Sequence, residues 1–282
     1  MLQERKVRLI EFLIANEILK FGAFKLKSQR SSPYFINVGD CNTGPSIAAL
    51  GSAYANTLIE SDVEFDVLVG PSYKGIPLAV TTAISLVNEG INAGVTFDRK
   101  EIKDYGEATG TDLQKQMLVG ALITDGSRIV FIDDVMTTGA TKYDIHELIK
   151  KCADGLQFPL LIIAVNRQEV GIDGKNAVEE FTAQTGIPVM AIIAACDIYD
   201  SLMENGREED AKRIADYLRI YGTDEAVAHI GKIQTQYIIP RDRSVIPACD
   251  LANIDVFEEI VKQTNCVSGI GGYKIGFELA LT

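Results

Sequence analysis

The chain has 282 residues, 47% hydrophobic and 23% charged, with 24 Gly and 8 Pro, an ordinary globular composition that excludes a disordered, collagen-like or mini-protein chain. Its 27 basic and 39 acidic residues leave a formal net charge of −12. That balance argues against nucleic acid or an anionic membrane as partner, so a polyanionic ligand must be held by local cations, backbone N–H groups or a metal.

Residues 2–20 carry apolar side chains at helical spacing, with Gly22 as the closing signal. Charges inside the opening MLQERKVRLIEF mark an amphipathic helix and not a signal peptide. Strands are expected at FDVLVG (65–70), INAGVTF (91–97), RIVFIDD (128–134), LLIIAV (160–165) and IPVMAII (187–193), with helices near 45–60, 76–89, 140–153 and 174–185. Near-continuous apolar strands separated by helices predict an α/β fold with a parallel sheet flanked by helices. Ligands of such sheets bind beyond the carboxyl ends of the strands, which directs attention to the loops there. A mostly polar span from Asp98 to about Ser127 has the length of a functional or disordered loop. Beyond 196 the chain is charged and helical, and a strand–helix–strand pattern begins near Ser244. No run approaches the roughly 20 apolar residues that cross a bilayer. Five scattered cysteines and two histidines indicate neither a disulfide frame nor a zinc site, which fits a reducing cytoplasm.

The strongest chemical signal is IVFIDDVMTTGAT (129–141). A buried strand ends in two adjacent carboxylates, Asp133 and Asp134, and runs into Thr137, Thr138, Gly139, Ala140 and Thr141 before a helix. Small residues let backbone N–H groups and hydroxyls close on a phosphate, and the helix start adds partial positive charge. The acids repel phosphate and suit vicinal sugar hydroxyls with a divalent ion nearby. GPSYKGIP (70–77) is another loop at a strand's end, with glycines for a tight turn and Lys74 as a point charge. Read alone it is a Gly/Pro turn with a solvated lysine. FDRKEIKDYGE (97–107) clusters Arg99, Lys100 and Lys103 among acidic neighbours; read alone it is a solvated charge run.

The 129–141 segment resembles the phosphoribosyl-diphosphate (PRPP) motif of type I phosphoribosyltransferases, and residues 20–195 resemble orotate phosphoribosyltransferase. The resemblance implies that family's parallel sheet with a small hood. It assigns Asp133 and Asp134 to the ribose hydroxyls and Thr137 to Thr141 to the 5′-phosphate. It sets Tyr73, Lys74 and Lys27 against the diphosphate and Phe35 against the pyrimidine ring. Arg99, Lys100 and Lys103 become a mobile lid shared between the subunits of a homodimer, although Tyr105 stands where the family usually has His. Arg167, in AVNRQEV, matches the arginine that grips orotate. The implied reaction joins orotate and PRPP, with Mg²⁺ held mainly by PRPP. A PRPP-binding regulator and a transferase for another base are the alternatives.

VIPACDLANIDVFEEIVKQTNCVSGIGGYKIGFELAL (245–281) resembles the opening βαβ of orotidine 5′-phosphate decarboxylase, a TIM barrel, with Asp250 and Lys274 ending its two strands. Its D-x-K-x-x-D cluster is absent, so decarboxylation is not expected. The whole resembles the transferase part of a bifunctional UMP synthase followed by an incomplete second domain: a transferase domain at 1–196, a helical linker at 197–243 and the decarboxylase-like fragment at 244–282.

Overall fold

The computed structural model describes residues 2–26, 28–101, 113–136, 139–231, 248–249 and 274–275. The chain divides into two compact units, Met1–Ile230 and Gly231–Thr282. The first opens with α1 (Leu2–Ala15), followed by an antiparallel pair, β1 (Leu19–Lys25) and β2 (Ser31–Ile36). Next come α2 (Gly44–Glu60), β3 (Val67–Val69), α3 (Gly75–Val87), β4 (Gly94–Asp98), α4 (Leu113–Met117) and β5 (Leu118–Gly120). The unit continues with β6 (Arg128–Val135), α5 (Ala140–Ile149), β7 (Gln157–Asn166), α6 (Ala177–Thr185), β8 (Val189–Ala194), α7 (Ala195–Glu204), α8 (Glu208–Tyr221) and α9 (Asp224–His229).

The main sheet has the order β5-β4-β3-β6-β7-β8, parallel except for the edge strand β5. Alternation along β6 shows why its strands are apolar on both sides. Val130 and Ile132 pack into the core built with α1, α2, α3, α7 and α8. Ile129 and Phe131 pack into a second core with Ile145 and Ile149 of α5 and Phe181 of α6. All five expected strands and four internal helices are present.

Three expectations change. The first helix ends at Ala15, and Gly22 lies inside β1. The helix closes by a Schellman motif in which Glu17, at φ 55°, takes the left-handed position usually given to glycine. The Glu17 N–H donates to Ile14 O at 3.1 Å, and that of Ile18 to Leu13 O at 2.9 Å. The polar span after Asp98 is not structureless throughout. It returns as α4 and β5, and β5 pairs with β4 through Thr96 opposite Gly120.

The third change concerns the helices expected as a linker. Residues 197–230 belong to the first unit, because α8 carries Ala211, Ile214, Ala215 and Leu218 at helical spacing into the same core as α1 and α2. The Lys6 ammonium also donates to both carboxylate oxygens of Asp197, at 2.9 Å each, joining α1 to α7. In the second unit, β9 (Ala248–Cys249) and β10 (Lys274–Ile275) pair in parallel, with Lys274 opposite Ala248. No helix among the described residues is long and apolar enough to cross a membrane.

The place of α8 in the core makes a stability prediction. Leu218→Ala, at a fully buried position, should cost about 2–5 kcal/mol and lower the main cooperative unfolding transition. A linker helix would leave that transition where it is.

Candidate active site

Chain order and sheet order together create the site. From β3 the chain moves outward to β4, and from β6 it moves the other way to β7 and β8. Neighbouring strands β3 and β6 therefore flank the point where the order reverses, and a crevice opens beyond their carboxyl ends. The 70–74 loop leaves β3 on one side of it, and the loop before α5 leaves β6 on the other.

The 70–74 loop is wound too tightly for side chains at its glycines. A Cβ on Gly75 would lie 2.9 Å from Ile132 O and 2.7 Å from Pro71 Cδ. Asp98 at the end of β4 anchors this loop, its Oδ1 accepting from the Ser72 N–H at 2.6 Å. The Ser72 hydroxyl donates to the Asp98 carbonyl. Tyr73 is left 72% exposed. The Lys74 ammonium spans the crevice to Asp134 Oδ2 at 2.9 Å.

Asp133 and Asp134 end β6 with only 6% and 8% exposure. Each is held in the same way, by the next backbone amide and by one lysine. Asp133 Oδ1 accepts from the Asp134 N–H at 2.9 Å, and Asp134 Oδ1 from the Val135 N–H at 2.7 Å. The lysines differ. Lys74 has a side chain 55% exposed, so its pair with Asp134 is weak and exchangeable. Lys142, which sequence reasoning missed, is buried against Asp133 Oδ2 and also donates to Val135 O at 2.7 Å. Burial pushes the Asp133 carboxyl above the usual range, against the pull of the Lys142 ammonium. The Tyr54 hydroxyl donates to Asp133 O at 2.7 Å, tying α2 to this strand end.

Gly139 adopts φ 72° immediately before α5, a left-handed conformation that favours glycine. Ala140 and Thr141 are exposed on the first turn, at the end of the helix that favours anions. Arg99 and Lys100 follow β4. The Arg99 N–H donates to Met117 O at 2.7 Å, and its Nε is buried without a hydrogen-bond partner among the described residues. Lys100 pairs with Asp98 at 3.2 Å.

Arg167 follows β7, and its guanidinium reaches β2. It donates from Nε to Glu169 Oε1 at 2.7 Å and from an NH2 group to Ser32 Oγ at 2.9 Å. It also lies 4.2 Å from the centroid of the Tyr34 ring. Tyr34 is a core residue, while Phe35 is 37% exposed and stacks on Phe24 at 5.5 Å. Lys27, Lys103, Tyr105, Thr137, Thr138 and Asp250 lie outside the described residues. The other expected site residues of the first unit lie on β2, at the end of β6, or on loops and first turns following β3, β4, β6 and β7. Lys142 has one sequence signal, a cation in the first turn of a helix where the dipole disfavours it.

Residues 38–153 match the phosphoribosyl transferase domain family. Orotate phosphoribosyltransferase from Methylococcus capsulatus is 42% identical over 215 residues, covering 76% of this chain and 96% of the relative. The chain belongs to the orotate phosphoribosyltransferase family. The crystal structure of orotate phosphoribosyltransferase from Francisella tularensis superposes with a TM-score of 0.67 at 34% identity, covering 77% of this chain and 100% of that one. UMP synthase from Leishmania donovani shares the fold at 23% identity and a TM-score of 0.57, over 75% of this chain and 42% of its own. Membership makes this chain a phosphoribosyltransferase enzyme of pyrimidine biosynthesis.

The close approach at Gly75 generates a test. Gly75→Ala should displace the start of α3 from β6, cost about 1–3 kcal/mol and lower turnover more than tenfold. Calorimetry and steady-state assays measure both.

Proposed function

We propose that this chain transfers the 5-phosphoribosyl group of PRPP to orotate, giving orotidine 5′-monophosphate and diphosphate. The observation that carries the reading is the Lys74–Asp134 pair across the crevice between β3 and β6. It puts an exchangeable cation beside two buried acids and a glycine-started helix. An incoming diphosphate draws the half-exposed Lys74 away from Asp134 and frees that carboxylate for the ribose diol. Asp133 and Asp134 keep lone pairs for the diol, because a carboxylate offers about four acceptor sites. Thr137 to Thr141 receive the 5′-phosphate, and Tyr73, Lys74 and Lys27 face the diphosphate.

Arg167 takes the orotate carboxylate, a planar anion suited to a guanidinium fork. Contacts with Ser32 and Tyr34 already orient that guanidinium, and Phe35 packs on the pyrimidine ring. Bond exchange occurs at the anomeric carbon, where positive charge develops as diphosphate leaves. No side-chain nucleophile is required. The protein contributes by aligning two anions and balancing charge in a site closed from water.

Among the described residues no group of three or more His, Cys, Asp or Glu side chains could hold a metal ion. The acid pair nonetheless has the hard oxygen chemistry that Mg²⁺ uses together with substrate phosphates. Asp133 and Asp134 would lie beside a Mg²⁺ held mainly by PRPP, which would supply charge neutralisation to the substrate's phosphates.

Arg99, Lys100 and Lys103 form a lid over the reactants, shared between subunits of a homodimer. Arg99 and Lys100 follow β4 at the edge of the sheet, beside its antiparallel neighbour β5, which supports a lid rooted there. The enzyme works in the cytoplasm. For residues 244–282, the parallel pairing of β9 with β10 supports a decarboxylase-like βαβ fragment without activity of its own.

Product formation with orotate, uracil and hypoxanthine, with and without Mg²⁺, tests the reaction; turnover confined to orotate is expected, and turnover of a purine instead would refute the reading. In the same assay Arg167→Ala should raise the orotate KM at least tenfold and leave the PRPP KM within threefold. The lid makes a separate prediction. Lys103→Ala should lower kcat by about 10²-fold or more, the scale for loss of a group that stabilises developing charge, with PRPP binding by titration nearly unchanged.

A further inference from the structure

We propose that Lys142 is a positioning residue for PRPP: from the first turn of α5 it holds the Asp133 carboxylate and the Val135 carbonyl, fixing the carboxylate that faces the sugar. The proposal rests on the reading of 129–141 as the PRPP site.

Lys142 reaches back across the loop to the end of β6. Its side chain is 8% exposed and its ammonium contacts Asp133 Oδ2, whose side chain is equally buried. A second bond runs to Val135 O at 2.7 Å. These two contacts tie the first turn of α5 directly to the end of β6.

Two penalties oppose this placement. A cation in the first helical turn works against the helix dipole, and its burial removes water from a charge. A buried ion pair is weak evidence for stability, since an apolar residue of similar volume often serves as well. What an apolar side chain lacks is orientation and charge. With Oδ1 on the Asp134 amide and Oδ2 on Lys142, the Asp133 carboxylate is held at both oxygens, and its remaining lone pairs are available to a diol.

Charge balance leads to the same role. Asp133 and Asp134 would together present two negative charges to a polyanionic sugar. Lys142 cancels one permanently, while Lys74 cancels the other only until the ligand takes it. The Tyr54 hydroxyl of α2 bonds the Asp133 carbonyl and not its carboxylate. Lys142 therefore carries the orientation of that carboxylate from the side facing α5.

A double-mutant cycle of Lys142→Met and Asp133→Asn tests this, with PRPP titrated by calorimetry in the presence of Mg²⁺ and KM determined for each substrate. Lys142→Met should weaken PRPP at least tenfold while the orotate KM stays within twofold. In the Asp133→Asn background the same change should cost less than threefold, because Lys142 acts through Asp133. Lys142→Arg, which keeps the charge and donors, should recover part of the loss. Thermal unfolding of each variant separates a folding defect from a binding one. If Lys142→Met fails to fold, Lys142→Gln replaces it in the cycle. Unchanged PRPP affinity in a folded variant, or equal losses in both backgrounds, overturns the proposal alone. A wild-type chain that does not bind PRPP overturns the functional reading as well.

Discussion

Two adjacent carboxylates at the end of a central strand are the constraint around which the rest of this structure is arranged. Asp133 and Asp134 are nearly buried, and like charges so close are costly unless each is compensated. The fold supplies that compensation from two directions. Lys142 approaches from α5 on the same side of the crevice, and Lys74 from the 70–74 loop on the other. Backbone amides of the following residues complete each carboxylate. Two adjacent carboxylates can therefore stand at one strand end with little exposure to water.

That arrangement depends on the sheet. Only because β3 and β6 are neighbours does the loop after Val69 stand opposite the loop after Val135. Glycines at 70 and 75 let the first loop fold closely enough for Lys74 to reach across. Asp98 of β4 ties the same loop from its outer side, so three strand ends cooperate in placing one ammonium. On the far side, Arg167 at the end of β7 joins the main sheet to β2 through Ser32 and Tyr34. The β1–β2 pair thereby becomes a cover whose exposed Phe35 lies next to the arginine's ring contact. Its other support is α8, which packs Leu218 and Ile214 into the shared core. The helices after residue 197 thus hold up the site although none of them carries a residue assigned to it.

The two lysines illustrate how geometry divides labour between similar groups. A half-exposed ammonium on a long flexible stem gains little from its ion pair and can be surrendered to a stronger anion. A buried one is committed, since leaving its partner would strand a charge away from water. The site accordingly contains one cation suited to exchange and one suited to structure.

The alternation of apolar strands and helices was legible in the sequence because it is a local pattern: β-branched runs such as IVFI can only be buried on both faces, and their spacing by amphipathic segments implies crossovers. The acid pair followed by threonines and glycine was legible for the same reason, since all its parts lie within thirteen consecutive residues. The resemblance of neighbouring segments to the orotate phosphoribosyltransferases extended that reading, as an expectation, to Lys74, Arg99 and Arg167. What the residues alone did not disclose was decided by contacts through space. Glu17 ends the first helix in a backbone conformation that composition assigns to glycine. The charged face of α8 suggested a linker, whereas its apolar face found a core already formed by α1 and α2. Lys142 received no role from its local sequence, and only the packing of α5 against β6 turned it inward onto Asp133. Local sequence determines which elements form and where small or charged residues interrupt them. Which charges meet, and which of them lose their water, depends on how those elements are brought together in the sheet.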